Sequence, residues 1–152
     1  MWRIVFLLTL STCVAITDYL YKKIPNLLII VGLMGGILFN FWIDPLPTSE
    51  HIMRSIMVVV IIGVGFFRLL GMGDIKFWIV LNVLTGALAS SIIVFATAFL
   101  VVLYALIIDK KLAEIVVTTR YRISLSNKAY PFTTFMLLPV VVYSVLTLTG
   151  VI

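Results

Sequence analysis

Residues 77–108 read FWIVLNVLTGALASSIIVFATAFLVVLYALII, 32 positions without an Asp, Glu, Lys or Arg. A helix crosses a bilayer in roughly 20 residues, so the run is too long for one span and short for two. Small residues at its centre, Gly86-Ala87-Leu88-Ala89-Ser90-Ser91, offer a turn. Whether the run holds one helix or two fixes the side on which every later loop lies, and therefore which polar residues can meet.

The rest of the chain is of the same kind. Of its 152 residues 63% are hydrophobic and 11% charged, and the mean hydropathy is +1.27. A soluble domain of this length cannot hide so much apolar surface in one core, so lipid is the solvent for most of it. Further apolar runs cover 2–17, 24–43, 52–70 and 131–152. With two helices in the long run there are six spans and the charges separate. One side receives Lys22, Lys23, Arg68, Lys76, Lys110, Lys111, Arg120, Arg122 and Lys128. The other receives Arg3, Arg54 and the acidic loop 44–51. A single span would carry Lys110 to Lys128 across and spoil the bias. The positive-inside rule therefore predicts an all-α integral membrane protein with six transmembrane helices and both termini non-cytoplasmic. The expected spans are 2–18, 24–43, 52–70, 74–88, 91–108 and 131–151, forming one domain over 1–152 with a cytoplasmic loop at 109–130. The net charge of +5 thus reads as orientation in a bilayer and not as affinity for nucleic acid. The single cysteine, Cys13, provides neither a disulfide nor a metal set; a small buried hydrophobe is its expected role.

Two aspartates stand where spans meet the cytoplasmic side. One opens Asp18-Tyr19-Leu20-Tyr21-Lys22-Lys23-Ile24-Pro25-Asn26, the other sits in Gly71-Met72-Gly73-Asp74-Ile75-Lys76. Carboxylates at the edge of lipid are expensive, and a pair on one face calls for a use. Two close carboxylates share a proton, the ionised one able to activate water and the protonated one to polarise a carbonyl. That titration belongs to the pair, so neither residue is assignable as acid or base from sequence.

The neighbours suit such a site. Gly71 and Gly73 permit unusual backbone angles and close approach by a substrate strand. Pro25 opens the second helix where a missing N–H costs little. Asn26 is placed to bond the loop or a substrate backbone, or to cap the helix; Lys76 is placed to pair with a carboxylate or a lipid phosphate. Two helices sharing 32 residues are each short for a bilayer of roughly 30 Å, which predicts a Gly-Met-Gly-Asp loop drawn to membrane depth and lining a wet pocket.

These residues resemble the type IV prepilin peptidases, polytopic aspartic proteases with a Gly-x-Gly-Asp motif. Asp18, Pro25 and Asn26 reproduce the family's Asp seven residues before the Pro of Ile-Pro-Asn. Gly71, Gly73, Asp74 and Lys76 reproduce Gly-x-Gly-Asp-x-Lys. Gly86 matches a later glycine, and Pro131-Phe132 a late Pro-Phe. The resemblance implies catalytic roles for Asp18 and Asp74 without metal or organic cofactor. It implies cleavage of the short basic leader of prepilin-like proteins, usually after a glycine, at the cytoplasmic face of the inner membrane. The freed subunits would build pili or secretion pseudopili.

Departures from the pattern are also legible. Larger members carry paired Cys-x-x-Cys motifs on an insert and methylate the new N-terminus; a chain with one cysteine is expected to cleave without methylating. Asn82 stands where glycine is common, which puts close packing there in question. Phe77-Trp78 is bulkier than usual after the motif lysine, and Thr133-Thr134 replaces the commoner Gly-Pro.

Elsewhere the expected roles are structural. Asp109 pairs with Lys110 or Lys111, and His51 is an exposed loop residue. Arg54 snorkels to outer headgroups or pairs with Glu50. Trp2, Trp42 and Trp78 form an interfacial belt. The segment 110–130, with Leu112, Ile115 and Val116 at helical spacing, is an amphipathic helix on anionic lipid, the alternative being a lid over the site. Residues 1–13 faintly resemble a lipoprotein signal, but Thr12 and a single charge point to a retained span. Three rival functions compete. A proton-coupled transporter would use the aspartates as a relay, but mid-span positions are nearly all apolar. A non-catalytic assembly partner would keep the fold alone. A presenilin-like protease shares Gly-x-Gly-Asp but not the Ile-Pro-Asn arrangement.

Overall fold

The computed structural model describes residues 1–21, 23–43, 45–66, 71–108 and 132–151. They are helical and connecting, with no strand among them. We number the helices α1 (Trp2–Tyr21), α2 (Asn26–Leu38), α3 (Thr48–Phe66), α4 (Met72–Thr85), α5 (Ala87–Ile108) and α6 (Phe132–Leu148). A wider π-helical turn, Phe39–Ile43, prolongs α2. Four segments, Trp2–Tyr21, Asn26–Ile43, Thr48–Phe66 and Ala87–Tyr104, are long and apolar enough to cross a membrane, and Phe132–Leu148 is a shorter apolar helix. Large apolar side chains such as Ile30, Met34, Phe95 and Phe99 stand exposed on the outside, as a multi-pass membrane protein requires.

The long apolar run does divide, and it divides at Gly86. This residue takes φ 98°, a conformation that glycine alone adopts without strain. Its N–H closes α4 on the Asn82 carbonyl at 3.0 Å, and its own carbonyl accepts the Ser90 N–H at 3.0 Å, opening α5. The division is unequal, where two short helices were expected: α5 has 22 residues and α4 only 14. The difference arises because α4 is the central helix. It packs against α2, α3 and α5, and no residue from Phe77 to Thr85 is exposed. An enclosed helix need not match the bilayer, whereas α5 faces lipid over its full length.

Glycines bring α2 against this centre. A Cβ on Gly32 would meet Leu10 and Val80, and one on Gly36 would lie 2.6 Å from Val83 Cγ1. Such close approach replaces the hydrophobic drive that lipid does not supply. At the other side α6 packs against α1 and α5, burying Met136 and Val140 beside the core.

Several expectations need correcting. Cys13 is exposed on α1, because α1 turns Leu10, Ser11, Val14 and Ala15 inwards instead. Trp2 and Trp42 are exposed but Trp78 is 5% exposed, since α4 has no lipid-facing side. Asn82 and Phe77 are fully buried; close packing survives at Asn82 because its amide donates to the Arg54 carbonyl at 2.9 Å. His51 belongs to α3, which begins at Thr48 directly after Pro47, and stacks on Phe41 at 4.7 Å between centroids. The expectations for Lys22, Asp44, Arg68, Asp109, the segment 110–130 and Pro131 lie outside the described residues.

Candidate active site

At one end of the bundle α1 finishes while α2, α4 and α6 begin. Asp18 lies in the last turn of α1 and Asp74 in the first turn of α4. The helix dipole favours a carboxylate at the second position and opposes one at the first, so Asp18 needs other support. It receives it from α6: Asp18 is 8% exposed, and the Thr133 hydroxyl donates a hydrogen bond to its Oδ2. Thr134 adds a bond from its hydroxyl to the Ala15 carbonyl at 3.3 Å, fastening α6 to the turn that carries Asp18.

Asp74 folds back on its own helix start, accepting a hydrogen bond from the Gly71 N–H, and lies close enough to Asp18 to sense its charge. Gly71 is the residue before α4, with φ −63° and ψ 147°. A Cβ there would sit 2.8 Å from Asp74 Oδ2, whereas at Gly73 it would make an ordinary contact with Ile24 Cδ1 at 3.4 Å. The expectation of unusual backbone angles fails at both positions, since among described residues only Gly86 and Gly150 have positive φ. The expected Gly-Met-Gly-Asp loop is likewise helix from Met72 onwards. What these glycines provide is space: at Gly71 for the carboxylate, at Gly73 for Ile24.

The second motif joins the first through one side-chain bond. Lys76 Nζ donates to Asn26 Oδ1 at 3.0 Å, tying the first residue of α2 to α4. Pro25 precedes α2 in extended conformation (φ −61°, ψ 134°), and its carbonyl accepts the Leu28 N–H at 3.1 Å. Asn26 therefore serves as acceptor for Lys76, and its side chain does not cap the helix.

A cavity of about 340 Å³ opens between these elements, lined by Asp18, Lys23, Ile24, Gly71, Met72, Gly73, Asp74 and Lys76. The two carboxylates, both glycines and Lys76 thus meet at one place; Pro25 and Asn26 stand behind it. Polar and partly open, it has room for several waters. A larger groove of about 610 Å³ between α5 and α6 is lined by hydrocarbon and by Tyr143. It has no carboxylate, imidazole or thiol with which to activate water.

Thr133 is the residue whose role sequence reasoning missed. Its signal was present: a hydroxyl directly after Pro-Phe, where Gly-Pro is commoner, at the same end of the bundle as both aspartates. Arg54, expected to snorkel outwards or to pair with Glu50, does lie 4.0 Å from the Glu50 carboxylate, but its side chain turns inwards at the opposite end and is 8% exposed. Between the two ends α4 buries Phe77, Trp78, Val80 and Leu81.

Residues 5–106, two thirds of the chain, match the sequence model of the type IV leader peptidase family. The match covers α1 to α4 and most of α5, including both aspartates. No curated protein and no solved structure matches the chain.

Proposed function

The chain belongs to the type IV leader peptidase family, and on that premise we propose that it is an aspartic endopeptidase with Asp18 and Asp74 as its catalytic pair. Its substrate is a prepilin-like protein, cut between a short basic leader and the apolar helix that follows. The observation that carries this reading is the polar cavity lined by carboxylates from two different helices. In this reading six spans cross the inner membrane with the basic loops inside, and the loop charges support a cytoplasmic position for the cavity. With one cysteine in the sequence, the reaction is cleavage without methylation.

The chemistry needs no group beyond the dyad. The ionised carboxylate takes a proton from water as the water oxygen adds to the scissile carbonyl carbon. The protonated carboxyl gives its proton to the carbonyl oxygen, and a tetrahedral diol forms. On collapse the C–N bond breaks, the leaving amine takes a proton from one carboxyl, and the diol returns one to the other. The pair ends as it began, with one shared proton. Thr133 holds Asp18 by one oxygen, and Gly71 holds Asp74 by its N–H, so both carboxylates are oriented before substrate arrives. The apolar layer of α4 between the two polar ends favours this reading over a proton relay, which needs titratable steps along the path.

The test uses the full chain co-expressed with a single-helix probe bearing a basic leader that ends in glycine. Asp18→Asn and Asp74→Asn are each expected to abolish cleavage while inserting normally. Near-normal processing by either variant would refute the assignment.

A further inference from the structure

At the end of the bundle opposite the dyad, α4 stops among its neighbouring helices, and its last carbonyls need donors. In lipid each unsatisfied backbone group costs several kcal/mol. Val83 O is served twice, by Asn40 Nδ2 at 2.9 Å and by Arg54 Nη1. Asn40 Oδ1 in turn accepts from Arg3 Nη2 at 3.2 Å and from Arg54 Nη1 at 3.4 Å. The Asn82 amide donates to the Arg54 backbone carbonyl at 2.9 Å. The π-helical turn after α2, the start of α3 and the end of α4 are thereby locked together, with α1 joined through Arg3.

Arg54 is the centre of this lock and an expensive one. Its guanidinium is buried, and its ion-pair partner Glu50 is 4.0 Å away on a half-exposed side chain. Such burial is retained where it fixes one arrangement against others. Here it places a cation at the C-terminus of α4, where the helix dipole favours it, with Asp74 at the favourable opposite end. Gly86 turns the chain beside this lock through its φ of 98°.

A 14-residue helix is about 21 Å long, too short to be set in place by anchors at both membrane surfaces. A slip of one residue turns it by about 100° and moves it by about 1.5 Å. We infer that Arg54 is a positioning residue: from the far end of α4 it fixes the rotation and depth at which Asp74 meets Asp18. The inference rests on the reading of these aspartates as the dyad.

The experiment compares Arg54→Lys, Asn40→Ser and Asp74→Asn in the full chain, reconstituted in lipid nanodiscs, on the single-helix probe. Lysine keeps the charge but loses the longer, planar guanidinium whose Nη1 reaches both Asn40 and Val83. Per folded molecule, Arg54→Lys is expected to lower kcat about tenfold with KM within about twofold, because small misplacements of a reacting group are costly. Its kcat–pH profile is expected to shift as the coupling of the carboxylates changes. Asn40→Ser, the milder lesion, is expected to show the same pattern at about threefold, and it carries the test alone if Arg54→Lys does not fold. A merely structural role would reduce the folded fraction and leave kcat and its pH profile at wild type. That outcome, with Asp74→Asn inactive, overturns the positioning role while the dyad stands. An active Asp74→Asn overturns both.

Discussion

Replacing Thr133 by valine removes one hydroxyl and almost no volume. The hydroxyl donates to Asp18 Oδ2, and Thr133 and Asp18 are only 1% and 8% exposed, so water cannot take its place. A hydrogen bond to a charged group contributes about 1.5–3 kcal/mol, and at 1.36 kcal/mol per decade that is about 10- to 150-fold in rate. The loss falls on kcat, because the hydroxyl holds the carboxylate and Thr133 does not itself line the cavity. Thr134→Val is the internal control: its bond of 3.3 Å to the Ala15 carbonyl is neutral and long, and its loss is expected to change kcat by no more than about threefold. The assay is initial-rate cleavage of the single-helix probe by purified full chain, with KM and kcat separated and folded protein quantified. Thr133→Ser, which restores the donor, is expected to recover most of the rate. A valine variant with wild-type kcat, or a serine variant no better than valine, would refute the role of this bond.

Two further expectations separate motif residues that look alike in sequence. Gly71→Ala drives a methyl against Asp74 Oδ2, where the Cβ would lie at 2.8 Å, while Gly73→Ala meets Ile24 at an ordinary 3.4 Å; rate losses of about tenfold or more and below about threefold are expected, measured in the same assay. Asn26→Ala and Lys76→Ala break one shared bond, so the double variant should lose no more activity than the worse single variant; additive losses would show that the residues act apart.

Four long apolar helices could be read from sequence because lipid demands them, and the charges of short loops decided that the long run divides. What could not be read was how it divides. The expected pair of short helices, 74–88 and 91–108, assumed that both answer to bilayer thickness, but α4 answers to its neighbours and α5 to lipid. The same oversight misplaced Trp78; for Arg54 the pairing with Glu50 was legible, but its bond to the Val83 carbonyl was not. At the end of α4 the Arg54 side chain turns to the Val83 carbonyl as well as towards Glu50; the break at Gly86 was legible, but not what lay beside it. At the site, the carboxylates and glycines carried local motifs and were found. Thr133 comes from a distant helix, and its bond to Asp18 becomes visible only when α1 and α6 pack.

The enclosure of α4 also bears on how the chain is made. At 14 residues, with Asp74, Lys76 and Asn82 among them, this segment is not long enough to cross lipid on its own account. It leaves the ribosome between α3 and α5, both of which are. Its entry must be driven by helices already inserted on either side and by α2, whose glycines receive it. Asp74 therefore reaches Asp18 through the packing of α4 among its neighbours, and assembly of the bundle is what brings the two acids together.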